Sequence, residues 1–147
     1  MREDSVEIWF RVEKDAAGHP NQEWEQLYAW PVRGGYRLNN IPFFAGDLAL
    51  DDVVTAHKGD RGLLVFDHVV SRSGHSTFRI WLSAQKQRDS GAIMKTIRDL
   101  GGHAELTLDR LIAVDAPPEH EAQVWDYVKG GQQRGDWDLQ VGYSPDE

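Results

Sequence analysis

The apolar period of the chain changes repeatedly between Thr77 and Tyr143, and this constrains the fold more than any other feature. Thr77–Ser83 reads as a strand. Over Asp89–Leu100 the apolar residues Ile93, Met94, Ile97 and Leu100 recur at helical spacing, with Asp89 or Ser90 placed to cap the start. Gly101-Gly102 then stops the helix as a left-handed C-terminal cap does. His103–Leu106 and Arg110–Val114 make two strands around Thr107–Asp109. Pro117-Pro118 opens a second helix with the stripe Val124, Tyr127, Val128, and Gly130-Gly131 breaks or ends it. Trp137–Tyr143 is a last strand with Trp137, Leu139 and Val141 on one face. The order β-α-β-β-α-β predicts a ferredoxin-like antiparallel sheet with both helices on one face.

The first half has a different grammar. Val6, Ile8, Phe10 and Val12 alternate with Glu7, Trp9, Arg11 and Glu13, which gives a half-buried strand with one aromatic on its outer face. Asp15–Asn21 is a turn cluster. Glu23–Val32 is a second strand, with Trp24, Gln26, Tyr28 and Trp30 on one face and Leu27 and Ala29 on the other. Gly34-Gly35 supplies a hairpin turn through positive φ, and Tyr36–Leu38 returns. Leu48–Ala56 reads as another strand, Lys58–Arg61 as a turn, and Gly62–Ser71 as a central strand because both its faces are mostly apolar. The expected class is α+β: a curled, mostly-β subdomain over 1–73, then a ferredoxin-like subdomain over 74–147, together one compact unit of 147 residues.

Charge and composition narrow the function. The formal net charge is −8, with the bases scattered, so the chain repels phosphate backbones and nucleic acid is not an expected partner. Without cysteine there is no disulfide framework and no thiol chemistry. Met1 leads into Arg2-Glu3-Asp4 with no apolar signal region, and no window reaches the ~20 apolar residues of a membrane span, so a cytoplasmic location is expected. The histidines His19, His57, His68, His75, His103 and His120 show no metal-ligand spacing; a site would have to gather distant residues such as Asp67, His68 and His75. No G-x-S-x-G elbow accompanies Ser73 or Ser76, so no hydrolase set is visible. No catalytic residue, metal or cofactor is assigned.

Four runs carry a family resemblance: EIWFRVEKDAAGHP, YRLNNIPFFAGDLALDDVV, VVSRSGHSTFRI and LIAVDAPPEHEAQVWDYV. Together they resemble the bacterial proteins of the domain-of-unknown-function family numbered 4265, in order and over nearly the whole chain. Similar sequences usually carry Gly-Asp before the Val-Val strand, where this chain has Asp51-Asp52, so a tight glycine turn is missing at Asp51. The resemblance implies an architecture and a soluble bacterial origin, and supplies no activity.

Two kinds of surface remain. Six tryptophans are many for this length, and rigid aromatics beside acids suit docking to a basic protein. The expected partner surface comprises Trp24 and Trp30 with Glu23 and Glu25 in the first half. In the second half it comprises Glu119, Glu121, Trp125, Asp126, Asp136 and Trp137, with Asp138, Asp146 and Glu147 nearby. The leading expectation is a non-catalytic binding protein, an immunity protein or antitoxin against a basic effector. The alternative is a sensor or enzyme for an anionic small molecule, held by Arg72, Ser73, Gly74, His75, Ser76 and Thr77, where Gly74 would turn backbone N–H groups toward the anion. The plain reading of that loop is a polar hairpin turn. Asn39–Phe44 reads as an aromatic plug against a ligand-facing loop, and a homodimer paired through sheet edges is a third arrangement.

Overall fold

The computed structural model describes residues 4–14, 16–18 and 21–145. His19, Asp146, Glu147 and parts of the 15–21 turn cluster lie outside them. The class is α+β and sheet-dominated, with one five-stranded barrel, one four-stranded sheet and two α-helices among the described residues.

In the first half, β1 (Val6–Arg11), β2 (Trp24–Val32), β3 (Gly35–Leu38), β4 (Val53–Lys58) and β5 (Leu64–Ser71) curl until the sheet closes on itself. The closure is a parallel pairing of Ile8 with Leu64 and Trp9 with Val65; the other pairs are antiparallel. Closure removes free sheet edges. Period-2 alternation sends Ile8, Phe10, Leu27, Ala29, Leu38 and Val54 inward, and Phe10 stacks on Phe66 at 4.8 Å. Each of these buried side chains other than Ala29 stabilises the fold by roughly 1.5–3 kcal/mol. β5 has a neighbour on each side, but its outer face is in solvent: Asp67, His68 and Val70 are exposed. Being flanked by strands did not require being covered on both faces.

The second half runs β6 (Ser76–Leu82), α1 (Ser90–Asp99), β7 (His103–Thr107), β8 (Leu111–Ala116), α2 (Glu121–Arg134) and β9 (Trp137–Tyr143). The sheet order is β7-β8-β6-β9, antiparallel throughout. Phe78, Ile80, Leu82, Ile112, Val114 and Ala116 pack with Ile93 and Ile97 of α1 and Val124 and Val128 of α2 to form a second core. The alternate positions Thr77 and Arg79 reach segment 39–52, which lies between barrel and sheet: Thr77 Oγ1 donates to the Leu48 carbonyl at 2.8 Å, and Asp47 N–H to the Gly142 carbonyl at 3.0 Å.

Local expectations were altered in four places. The strand expected from Leu48 begins only at Val53, because Asp47 and Asp51 take left-handed φ of 64° and 68° and break any extended run. Of the glycine pair 34–35, only Gly34 uses positive φ; a Cβ on Gly35 would overlap the Val54 carbonyl of the neighbouring strand. Asp89 holds the N-cap position of α1 without a side-chain capping bond, because the chain arrives through a 3-10 turn over 84–89. Gly130-Gly131 does not end α2; the helix runs on to Arg134 and closes on Gly135 at φ 81°.

Candidate functional site

Arg72–Thr77 links barrel to sheet, and the polar groups of Arg72, Ser73, His75 and Thr77 are used in that joint, while the buried Ser76 Oγ has no hydrogen-bond partner among the described residues. The carboxylate of Asp52, fully buried, accepts the Ser73 N–H at 2.8 Å, the Ala49 N–H at 3.0 Å and Arg72 Nη1 at 3.2 Å. Arg72 also donates to the Asp47 carbonyl at 2.7 Å and stacks on the Tyr143 ring at 4.1 Å. Ser73 Oγ donates to the Leu50 carbonyl at 2.7 Å and accepts the His75 N–H at 3.1 Å. Ser76 and Thr77 are wholly buried. Gly74 takes the expected positive φ of 89°, but the groups around this loop are the carboxylates of Asp47, Asp51, Asp52 and Asp115. That field works against an anion, and residues 72–77 form a structural clasp between barrel and sheet.

At the far end of the clasp, the fully buried Asp115 joins two histidines. Its Oδ1 accepts from His75 Nδ1 at 2.8 Å and its Oδ2 from His103 Nδ1 at 2.9 Å. Burial pushes the Asp115 carboxyl above its ordinary range, and the two histidine hydrogen bonds pull it back only in part. The histidines are thereby fixed in orientation. Asp67, His68 and His75 do not converge: Asp67 meets His57 at 2.5 Å, and His68 Nδ1 meets Thr55 Oγ1 at 3.0 Å. Among the described residues no group of three or more His, Asp or Glu side chains is placed to hold a metal ion.

Trp137 and Trp125 of the second half belong to its core. Trp137 is 4% exposed, and its Nε1 donates to the Val128 carbonyl at 2.7 Å. Its indole lies where a Cβ on Gly131 would stand, which explains that glycine inside α2. Trp125 is half-buried, packed on Phe78 at 5.4 Å. Asp136 is engaged by Arg134 at 3.0 Å and Lys86 at 3.9 Å. Glu119 and Asp126 stand exposed and Glu121 is half-buried. The expected anchor Trp137 is therefore withdrawn from the surface, because a helix stripe and a strand face both close over it.

The barrel presents the contrary case. Alternation that buries Glu25, Leu27 and Ala29 turns Trp24, Gln26, Tyr28 and Trp30 outward, and Trp9 pairs with Gln26 between Trp24 and Tyr28. Trp24 is 41% and Leu63 46% exposed. Trp9, Trp24, Leu63, Val65 and Asp60 line one shallow apolar depression. Arg11 lies over Trp24 at 5.6 Å and Arg37 over Trp30 at 5.3 Å. Glu25 is not part of this surface: it points inward, and its carboxylate accepts the N–H groups of Phe43 (2.7 Å), Phe44 (3.0 Å) and Ala45 (2.8 Å). Trp9 was legible as the outer aromatic of its strand, and Leu63 only once the parallel closure set β5 beside β1.

From the sheet side the same 42–45 segment is held by Arg79, whose guanidinium donates to the Pro42 carbonyl at 3.4 Å and to the Ala45 carbonyl. Glu25 and Arg79 thus grip the N–H and C=O groups of one segment from opposite sides. Phe43 and Phe44 stay half-buried at the mouth of a cleft between barrel and sheet. Among the described residues no helix is long and apolar enough to cross a membrane.

The geometry can be set beside known proteins. The chain is similar to a hypothetical protein from Neisseria gonorrhoeae, with 21% identity and a TM-score of 0.77 over 97% of each chain, which speaks for the fold alone. No curated protein matches it. The model of the family described as a domain of unknown function, DUF4265, matches residues 25–139, well over half of the chain, and the protein therefore belongs to that family.

Proposed function

We propose that the protein is a non-catalytic, cytoplasmic binding module of the immunity or antitoxin kind, which docks a basic bacterial effector through the outer face of β1 and β2. The observation that carries this reading is the aromatic stripe Trp9, Trp24, Tyr28 and Trp30, with Leu63 beside it, on the outside of a closed barrel. Within it Trp24 and Leu63 are exposed and Trp9, Tyr28 and Trp30 half-buried, and an apolar patch of this kind in water suits a partner. The formal net charge of −8 steers a basic protein toward the molecule, while the rings supply the contact. Glu119, just before α2, and Asp126 on it add to the field without serving as anchors. The second half fits a ferredoxin-like arrangement, its two helices and central strands acting as a rigid support for the barrel.

Capture from the native cell extract at low salt tests the reading when wild type is run beside a Trp9→Ala, Trp24→Ala variant. The expected result is one basic protein retained by wild type, with affinity falling by about 2 kcal/mol or more in the variant and little change in melting temperature. Retention of the same protein by both forms, or of nothing by either, sinks the proposal.

A further inference from the structure

The cleft between barrel and sheet has a volume of about 810 Å³, within the range of small-ligand sites. Its walls come from both halves: Glu13 and Lys14 after β1, Phe43 and Phe44, Arg79 and Trp81 of β6, Arg110 of the β7–β8 turn, and Asp138 of β9. We propose that this cleft binds a small aromatic monoanion of the aryl-carboxylate class, with its charge toward Arg79 and Arg110 and its ring against Trp81 and the Phe43–Phe44 pair.

Arg79 is the first reason. It is 3% exposed, yet its hydrogen-bond partners are two neutral carbonyls. The nearest carboxylate, Glu25, lies across the 42–45 segment with its oxygens taken by three backbone N–H groups. A guanidinium has five N–H donors, and these two bonds leave donors unused at the cleft wall. Burial lowers the Arg79 pKa, and the attraction of Glu25 restores it only in part, so the charge lacks a full counter-ion. An anion in the cleft supplies one.

Arg110 is the second reason. Its guanidinium is held 5.3 Å from the Trp81 ring centroid, which places a cation and a half-buried indole side by side on one wall. The charge tally sets the class of ligand. Lys14 already has Glu23 at 4.0 Å, which leaves Arg79 and Arg110 as the lining cations with no ion pair among the described residues, set against the lining carboxylates Glu13 and Asp138. One negative charge is met there by the unpaired guanidiniums, whereas a polyphosphate would meet two carboxylates and an acidic field. Phe43, Phe44 and Trp81 supply planar apolar surface that a bare anion leaves unused.

Titration calorimetry with 2-naphthoate, neutral 2-naphthylmethanol and inorganic phosphate tests this. The acid should bind about tenfold more tightly than the alcohol, and phosphate should not displace it. Arg110→Ala and Trp81→Ala should each weaken the acid about tenfold, bringing Arg110→Ala close to the affinity for the alcohol. Arg79→Lys, which keeps a charge to hold the 42–45 segment, should weaken it while the protein stays folded by circular dichroism. No binding of naphthoate, equal binding of acid and alcohol, displacement by phosphate, or an Arg110→Ala variant that binds like wild type overturns the proposal.

Discussion

Two regions of this molecule combine tryptophan with acidic residues, and the fold treats them in opposite ways. On α2 and β9 the indole of Trp137 is sealed under a helix, and Trp125 leans on Phe78. On β1 and β2 the indoles of Trp9 and Trp24 face outward over a core already filled by Ile8, Phe10, Leu27 and Ala29. The difference lies in what covers each face. The inner side of the second sheet must be covered by helices, and its large residues are consumed in doing so. A closed barrel buries one face inside itself and leaves the other in solvent, so an outward aromatic there has no structural duty. Composition alone cannot separate the two cases.

The largest expected break in the comparison is energetic. Trp137→Ala should destabilise the fold by about 3–5 kcal/mol, as the loss of a large buried side chain does. Trp24→Ala should change stability by less than about 1 kcal/mol. Urea unfolding decides between them, and comparable losses would mean that the two faces are alike. Gly131→Ala should cost about 1–3 kcal/mol despite the better helix propensity of alanine, because the added methyl overlaps the Trp137 ring.

A second pair of like chemistries sharpens the same point. Asp115 meets His75 and His103 in the interior, while Asp67 meets His57 at the surface. Since burial raises the folded-state pKa of Asp115 above its ordinary 3.8, the folded protein holds more protons than the unfolded chain between those two values. Stability should fall as pH rises through that window, and Asp115→Asn should lack the fall. His75, His103 and, through His75 at 3.9 Å, Asp51 are the titratable groups facing this site, so unfolding midpoints are best compared across pH for wild type and variant. Asp67→Asn, the exposed counterpart, should change stability by under about 1 kcal/mol. A wild-type stability independent of pH above 4 would contradict this account of Asp115.

Asp51 tests the segment between the two halves. It sits at φ 68°, the conformation a glycine adopts without strain. Asp51→Gly should stabilise the protein by about 0.5 kcal/mol, less any contribution from Arg37 at 3.8 Å. A loss of more than about 1 kcal/mol would show that the carboxylate, not the turn, is what matters there.

The smallest effect concerns edges, which the barrel lacks and the second sheet has. The outward N–H of Leu139 on β9 is met by Gln132 Oε1 at 2.6 Å, and the outward carbonyl of Ala104 on β7 by Arg98 at 3.0 Å. Helix side chains thus occupy groups that another strand would need, which works against a homodimer paired through these edges. Gln132→Ala should leave stability within a few tenths of a kcal/mol and introduce weak, concentration-dependent association by sedimentation. An unchanged monomer–oligomer balance would assign Gln132 no such role.

Much of the secondary structure was legible because it is written in short-range periods. The alternation of Val6–Val12 and of Trp24–Trp30, the 93-94-97-100 stripe and the Gly101 stop, at φ 98°, each depend on neighbours a few residues away. The candidate sites were less legible, since they depend on distant chain. Arg72 read as a free cation because Asp47 and Asp52 lie 25 and 20 residues earlier. Glu25 read as a surface acid because its three N–H partners lie 18 to 20 residues later. Arg79, Trp81 and Arg110 read as ordinary strand positions, and only the seam between barrel and sheet places them on one cleft.

The sequence by itself determined the α+β class, the order of its elements, the faces of most of its strands and the net charge of −8, since local sterics, periodicity and charge need no tertiary context. Tertiary structure decided which tryptophans meet water, which carboxylates are structural and where a cleft opens. Those outcomes depend on which face is covered and on pairings far apart in the chain, and these arise only when the barrel closes and the second sheet packs against it.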